Sequence, residues 1–257
     1  YMDVIDSSFT LRKDFIQSPL KLRTRNWNLS RMIYFSWAAR YIKKNHKDVF
    51  NALQKSRKGG GLSSPVQYPR LFEIERIIKT FKPKNALEFG CGTSSVMFAK
   101  LLGFDNFITL EESKFWADKM LKSCPKTLDI NVKVRDKVIQ ERDEVVCFYD
   151  CEELGYFDLV YVDGPFNGIK KTEIDKYKVP IKDIAYSPHI PNVDVENLWE
   201  KSIFPKYIVV DNRRTTVRRL IKKSNGRYSI FLKSELQNSC NIRPYSPYIY
   251  HTLLIRK

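Results

Sequence analysis

The sequence has little of what several protein classes require. It contains three histidines and five cysteines, and no two cysteines form a Cys-x-x-Cys pair. A zinc ribbon or a disulfide scaffold is therefore not expected, and the cysteine usage suits a reducing cytoplasm. No apolar run approaches the ~20 residues that a membrane-spanning helix needs. No charged-then-apolar leader is visible, so we expect a cytoplasmic protein.

What the chain does contain is enough apolar sequence for one sizeable core. Of its 257 residues 43% are hydrophobic and 13% are aromatic, which argues against disorder. Positive charge is in excess, with 45 Lys and Arg against 29 Asp and Glu, a net charge of +16. Such a charge favours a nucleic acid or an anionic surface as a partner, and the motifs must decide whether it reflects function.

More than half of the excess charge lies in residues 1–60, whose net charge is +9. Within them, residues 28–44 predict a helix with a wide apolar face and a basic end. That helix either packs on the domain or docks on an anionic carrier or the inner face of a membrane. The glycines at 59–61 then break all periodicity. We therefore expect a basic helical extension over residues 1–61 and a domain over residues 62–257.

Helical and strand patterns alternate after residue 65. Strands are predicted at 85–89, 106–110, 131–135, 145–148, 158–162, 207–210, 228–232 and 249–255. Helices are predicted at 71–81, 94–102, 114–122 and 215–223. Strands that alternate with helices predict an α/β fold, an open parallel sheet with helices on both faces. The last two strands have no helix between them and predict an antiparallel hairpin at one edge.

The strongest local signal is a glycine loop between a predicted strand and a predicted helix. It runs through Glu88, Gly90, Cys91, Gly92, Thr93, Ser94 and Ser95. Glycines allow a tight turn and a close approach to a ligand, and the helix N-terminus offers free N–H groups. Glu111 ends the next strand, where a carboxylate can bind both hydroxyls of a ribose. Together these features predict an adenosine-type cofactor.

The identity of that cofactor depends on two positions of the loop. A dinucleotide site would carry a third glycine where this chain has Ser95, and Glu88 puts an acid at the strand end, which suits a cationic ligand. This segment resembles the acid-x-Gly-x-Gly motif of class I S-adenosylmethionine-dependent methyltransferases. The similarity continues through residues 110–113, 157–165 and 207–212 and the closing strand pair.

The resemblance implies a Rossmann-like, doubly wound sheet of seven strands with an antiparallel last strand, and S-adenosylmethionine as the cofactor. It implies that Gly90 and Gly92 border the methionine part, that Glu88 supports the loop and that Glu111 holds the ribose. Asp136, after the third strand, is expected near the adenine. The complete set predicted to bind the cofactor is Glu88, Gly90, Cys91, Gly92, Thr93, Ser94, Ser95, Glu111, Glu112, Asp136 and Asp163.

The residues that act on the methyl acceptor are expected at the carboxyl ends of two further strands. Asp163 ends one strand, and Asp211 and Asn212 end the next, so three oxygen ligands could hold Mg²⁺ or another divalent cation. The arrangement is similar to metal-dependent O-methyltransferases of the catechol type and to their macrolide sugar relatives. A metal bound to a hydroxyl lowers its pKa and fixes its direction. The alternative is that Asp211 caps the following helix and Asp163 binds backbone in its turn.

The candidate catalytic residues are Asp163 and His189. The histidine lies in a long Pro-rich insert, residues 166–205, which is predicted to form a lid or a substrate wall. A histidine there could accept a hydroxyl proton, and the alternative is a surface histidine with no role.

These residues favour an S-adenosylmethionine-dependent O-methyltransferase that acts on a sugar, a glycan or another small molecule. Two alternatives stay open. The charge suits an RNA ribose 2′-O-methyltransferase. The expected pocket residues are acidic, however (Glu88, Glu111, Asp163 and Asp211), so the basic excess is a surface property and nucleic acid is the less favoured partner. A non-catalytic scaffold that docks through its basic helix is the other alternative.

Overall fold

The computed structural model describes residues 27–58, 67–151, 154–166, 190–211, 213–232 and 250–257. The helices are α1 (Trp27–Asn45), α2 (Lys47–Lys58), α3 (Gln67–Phe81), α4 (Thr93–Leu102), α5 (Lys114–Ser123), α6 (Asp194–Glu200) and α7 (Arg214–Lys223). The strands are β1 (Ala86–Phe89), β2 (Phe107–Glu111), β3 (Val132–Val134), β4 (Lys137–Glu141), β5 (Val145–Tyr149), β6 (Leu159–Val162), β7 (Tyr207–Asp211), β8 (Tyr228–Leu232) and β9 (His251–Arg256).

Seven of the strands form one sheet in the order β3-β2-β1-β6-β7-β9-β8. Strands β3, β2, β1, β6 and β7 are parallel, and β9 lies antiparallel between β7 and β8. Every residue of β1 and β6 is buried, as expected for strands covered on both faces. The predicted seven-stranded sheet with an antiparallel last strand is therefore confirmed.

Alternation along the strands builds two cores, one on each face of the sheet. Tyr161 and Val209 contribute to the core under α1, α2, α3 and α4. Val160 and Val210 point the other way and pack with residues of α6 and α7. The carboxyl ends of β1, β2, β6 and β7 consequently lie along one edge of the sheet, and the N-terminal half of α3 approaches that edge.

The first two helices share the main core with the rest of the domain. Tyr34, Ala38 and Ile42 of α1 and Leu53 of α2 are buried in the same cluster as Ile74 of α3. The described part of the basic helix therefore packs on the domain, which was one of its two interpretations. The division of the chain at residues 61 and 62 stays a prediction. In the parts of the chain that the structure describes, no helix is long and apolar enough to cross a membrane.

A small hairpin stands between β3 and β6. Strands β4 and β5 pair antiparallel as a separate two-stranded sheet. The hairpin is attached to the end of the long insert, because Cys147 N donates to Pro191 O and Val193 N donates to Cys147 O, both at 3.0 Å. The sequence predicted β5 and did not predict β4. This hairpin brings Tyr149 to the sheet edge where the site is formed.

Candidate functional site

The glycine loop between β1 and α4 is shaped by contact with the turn after β6. Gly90 has a φ of +102°, which side chains rarely tolerate. A Cβ at this position would lie 2.4 Å from the backbone N of Gly164. Gly90 is therefore needed both for its backbone conformation and for this close approach.

Glu88 supports the loop from below. Its carboxylate is completely buried and accepts hydrogen bonds from the hydroxyls of Ser94 and Ser95. Burial raises the pKa of Glu88 to about 8. Neither Glu88 nor Ser95 is among the residues that line the cavity described below. The structure thus gives both residues a part in shaping the loop.

Glu111 joins the end of β2 to the glycine loop. Its Oε2 accepts from Cys91 N at 3.1 Å and its Oε1 accepts from Ser113 N at 2.9 Å. Trp116 donates from its ring nitrogen to Cys91 O at 3.0 Å and fixes the loop from the other side. Burial raises the pKa of Glu111. Each carboxylate oxygen can accept a second hydrogen bond, so Glu111 keeps acceptor capacity for a ligand.

A cavity of about 480 Å³ opens at this edge of the sheet. The predicted site residues that line it are Gly90, Cys91, Gly92, Thr93, Ser94, Glu111, Glu112, Asp163 and Asp211. Glu112 also accepts a hydrogen bond from Phe166 N at 3.2 Å. Asp136 is exposed and is absent from the lining, so the structure does not bring it to the cavity. His189 and Asn212 lie outside the described residues.

The wall also contains residues that the sequence did not single out. They are Gln67, Arg70, Trp116, Tyr149, Tyr161, Phe166 and Arg213, among others. For Arg70 a signal was present, because it lies on the apolar face of α3, one turn before the fully buried Glu73. Charged residues at helical spacing on an otherwise buried face indicate partners elsewhere in the fold. Tyr149 and Tyr161 had no such signal, because strand tyrosines are common in cores.

At the far end of the cavity, carboxylates and arginines are paired. Arg70 Nη1 lies 2.9 Å from Asp211 Oδ2. Arg213 Nη2 lies 3.9 Å from Asp163 Oδ1, and Arg213 Nη1 also donates to Pro165 O at 2.8 Å. Burial raises the pKa of Asp163, and the nearby charge of Asp211 raises it further. Asp163 is thus a carboxylate with an increased affinity for a proton.

These arginines do not suit the predicted metal site. A divalent cation between Asp163 and Asp211 would meet the guanidinium of Arg70, which already binds Asp211, and that of Arg213 beside Asp163. Among the described side chains, no three of His, Cys, Asp or Glu are grouped as metal ligands. The two described donors, Asp163 and Asp211, therefore do not fit a metal ion, because arginines supply the positive charge beside them.

Behind the arginine–carboxylate end lies a buried chain of hydrogen bonds. Glu73 Oε2 accepts from the backbone N–H groups of Tyr250 at 3.0 Å and His251 at 3.1 Å, and it lies 2.5 Å from His251 Nδ1. The other ring nitrogen, Nε2, lies 3.0 Å from the hydroxyl of Tyr161. Burial lowers the pKa of His251, but the carboxylate of Glu73 outweighs it and leaves the pKa raised.

No family model and no curated protein matches the chain. Among solved structures, the O-methyltransferase TomG from Streptomyces achromogenes, crystallised with S-adenosylmethionine, has 16% identity and a TM-score of 0.50. The match covers 92% of this chain and 99% of TomG. The chain has the fold of that O-methyltransferase.

Two further solved structures match with lower TM-scores. An O-methyltransferase from Bacillus cereus in complex with S-adenosylhomocysteine has 16% identity and a TM-score of 0.47, and covers 85% of this chain and 96% of its own. A putative O-methyltransferase from Klebsiella pneumoniae has 15% identity and a TM-score of 0.49, and covers 86% of this chain and 96% of its own. At these identities the likeness concerns the fold, and the reaction has to be argued from the site.

Proposed function

We propose that the protein transfers a methyl group from S-adenosylmethionine to a hydroxyl group of a sugar, a glycan or another small molecule. The observation that carries the proposal is that one continuous cavity joins the glycine loop and Glu111 to Asp163. One end thus has the groups that an adenosine requires, and the other end has a carboxylate with a raised pKa. The fold shared with TomG is consistent with this use of the cavity.

The residues of the cavity fit the cofactor in shape and in charge. Gly90 and Gly92 leave the backbone bare for a close approach, and Glu111 retains acceptor capacity for two ribose hydroxyls. Four carboxylates line the cavity, those of Glu111, Glu112, Asp163 and Asp211, against two arginines. Such a wall favours a cationic ligand. When bound, the cofactor would supply an electrophilic methyl group on a positively charged sulfur.

Asp163 is proposed as the general base. A carboxylate with a raised pKa takes up a proton more readily than an ordinary aspartate, which suits the deprotonation of a hydroxyl during its attack. Arg213 contacts Asp163 through both the side chain and the backbone carbonyl, and so fixes its direction. His189 remains a second candidate for the same role.

The class of acceptor is proposed from the polar wall and from the basic surface. Carboxylates, arginines and tyrosine rings around Asp163 suit a hydroxylated, polar molecule. The excess positive charge suits an acceptor on an anionic carrier, and we place the protein in the cytoplasm or at the inner face of a membrane on the same ground. The alternative, a ribose hydroxyl of RNA, predicts binding to RNA that weakens steeply as salt is added.

The cofactor is tested by calorimetry with S-adenosylhomocysteine. Glu111→Gln should weaken binding about tenfold to a hundredfold, because a hydrogen bond to a charged group contributes about 1.5–3 kcal/mol. Glu141→Gln, at an exposed position of β4, makes the same chemical change and serves as the matched control. The cofactor assignment is wrong if the wild-type protein does not bind at high micromolar concentrations.

The reaction is tested by a panel of acceptors with labelled methyl donor. The panel should contain monosaccharides, oligosaccharides, phenols and a short RNA, and mass spectrometry should locate the methyl group on oxygen. Methylation of the RNA alone would replace the proposal by its alternative. A protein that binds the cofactor and methylates none of these hydroxyls would refute O-methyl transfer.

A further inference from the structure

Three buried polar side chains connect α3 to the wall of the cavity. Glu73, His251 and Tyr161 are each exposed by 1% or less, yet Tyr161 lines the cavity. Polar groups in a core are costly to bury unless hydrogen bonds compensate them, and this chain spans three separate elements of the fold. Asp163, the general base proposed above, is not a member of this hydrogen-bonded series.

Glu73 determines the orientation of His251. A carboxylate accepts hydrogen bonds and, when ionised, donates none, so Nδ1 of His251 carries the proton in its contact with Glu73. Nε2 is thereby aimed at the hydroxyl of Tyr161. Two carboxylates face the ring, Glu73 at Nδ1 and Asp211, whose Oδ1 lies 4.0 Å from Nε2, and both raise the pKa of His251. This arrangement favours the form in which both ring nitrogens donate.

The orientation of Tyr161 follows from that of His251. When Nε2–H donates to the phenolic oxygen, the hydrogen of the phenol must point elsewhere. Within the described residues, the hydroxyl of Tyr161 has one hydrogen-bond partner, His251. Tyr161 lines the cavity, and so do Asp163, two residues further along the sequence, and Asp211. The hydrogen bonds from Glu73 through His251 to Tyr161 thus present one hydrogen-bond donor in a fixed direction next to the proposed base, Asp163.

We propose that Tyr161 is a catalytic residue whose hydroxyl donates a hydrogen bond to the reacting oxygen of the acceptor, with Glu73 and His251 as positioning residues. The inference rests on the proposed O-methyl transfer and adds to it the group that orients the acceptor. It requires that the acceptor oxygen lies between the phenol of Tyr161 and the carboxylate of Asp163.

Each bonding position of the acceptor oxygen then has one role. One lone pair accepts from Tyr161, the hydrogen is directed at Asp163, and the second lone pair faces the methyl group. During the reaction the O–H bond breaks with transfer of the proton to Asp163, and an O–C bond forms. The C–S bond breaks and leaves its electron pair on sulfur, so the charge of the sulfonium is neutralised. Fixing the oxygen in this way supplies the orientation on which such displacements depend.

The experiment compares Tyr161→Phe with Tyr34→Phe, on the acceptor that the wild-type enzyme methylates. Tyr34 is also a buried tyrosine of the main core, but it does not line the cavity. Loss of one hydrogen bond corresponds to about a tenfold change. We expect Tyr161→Phe to lower kcat/KM about tenfold and Tyr34→Phe to leave it within about twofold. The dissociation constant of S-adenosylhomocysteine should be unchanged in both.

The positioning role is tested with Glu73→Gln, alone and combined with Tyr161→Phe. If Glu73 acts through Tyr161, the fall in kcat/KM of the double variant should exceed that of Tyr161→Phe by no more than about twofold. A purely structural role would instead multiply the two losses. If Glu73→Gln does not fold, His251→Phe takes its place, because a phenyl ring has a similar shape and cannot donate to the phenol of Tyr161.

Each outcome decides the inference. Equal kcat/KM for the two tyrosine variants, or multiplied losses in the double variant, would overturn it while O-methyl transfer stands. A parallel fall in affinity for S-adenosylhomocysteine would also overturn it, because the phenol would then serve the cofactor. If the wild-type protein binds the cofactor and methylates no hydroxyl, the proposed function fails, and the inference fails with it.

Discussion

Replacing Gly90 with alanine tests how tightly the two loops beneath the cavity approach each other. The added Cβ would lie 2.4 Å from the N of Gly164 and 2.7 Å from the carbonyl carbon of Asp163. Forcing a residue other than glycine into an unfavourable backbone conformation costs about 1–3 kcal/mol. Overlap with fixed backbone adds roughly 1–3 kcal/mol. We therefore expect the free energy of unfolding to fall by about 2–6 kcal/mol.

The matched control is Gly103→Ala. Gly103 also has a positive φ, +83°, but a Cβ there would meet no atom within 4 Å. This variant should show only the backbone cost of about 1–3 kcal/mol. Urea unfolding followed by circular dichroism measures both variants, and calorimetry with S-adenosylhomocysteine should show weakened binding only for Gly90→Ala. Equal unfolding midpoints for Gly90→Ala and Gly103→Ala would refute the close contact between Gly90 and Gly164, because that contact is the reason for the larger loss of stability.

Two further predictions concern buried charge. The pKa of Glu88, raised to about 8 by burial, lies above its value of about 4.3 in an unfolded chain. The folded state therefore binds the proton more tightly, so stability should fall as pH rises from about 4 to about 8, and Glu88→Gln should flatten this decline in urea midpoints. Arg219→Ala should cost about 3–5 kcal/mol, because it leaves the buried carboxylate of Glu196, 2.7 Å from Arg219 Nε, without its partner. The exposed neighbour Arg218→Ala should change the unfolding free energy by less than ~0.5 kcal/mol, and equal losses would contradict the ion-pair argument.

Local sequence was sufficient for the parts of the fold whose signals are short in range. The strand before Gly90, the helix that ends before Gly103 and the carboxylate at Glu111 each lie within a few residues of the pattern that marks them. Strands β1, β2, β6 and β7 and helices α4 and α5 were predicted within one or two residues of their observed bounds. The hairpin of β4 and β5 was not predicted as a unit, because its attachment depends on backbone contacts with residues 191 and 193.

The candidate site divides in the same way. The glycine loop and Asp163 could be selected from sequence because each directly follows a predicted strand and is marked by a short local pattern. The pairing of Arg70 with Asp211 could not be predicted, since the two residues meet only when α3 packs across the ends of β6 and β7. The same packing places a guanidinium group beside each carboxylate of the predicted metal site, and of the two arginines only Arg213 lies near Asp211 in the sequence.

By itself the sequence determined the alternation of strands and helices from β1 to α5, the glycine loop and the acid at the end of β2, because backbone propensity and hydrophobic period act over a few residues. Only the tertiary structure decided which residues lie at the end of the cavity away from the glycine loop. Glu73 and His251 are 178 residues apart in the chain and meet because β9 returns antiparallel beside β7, under α3. Contacts at that distance depend on how the sheet closes, and no local pattern encodes them.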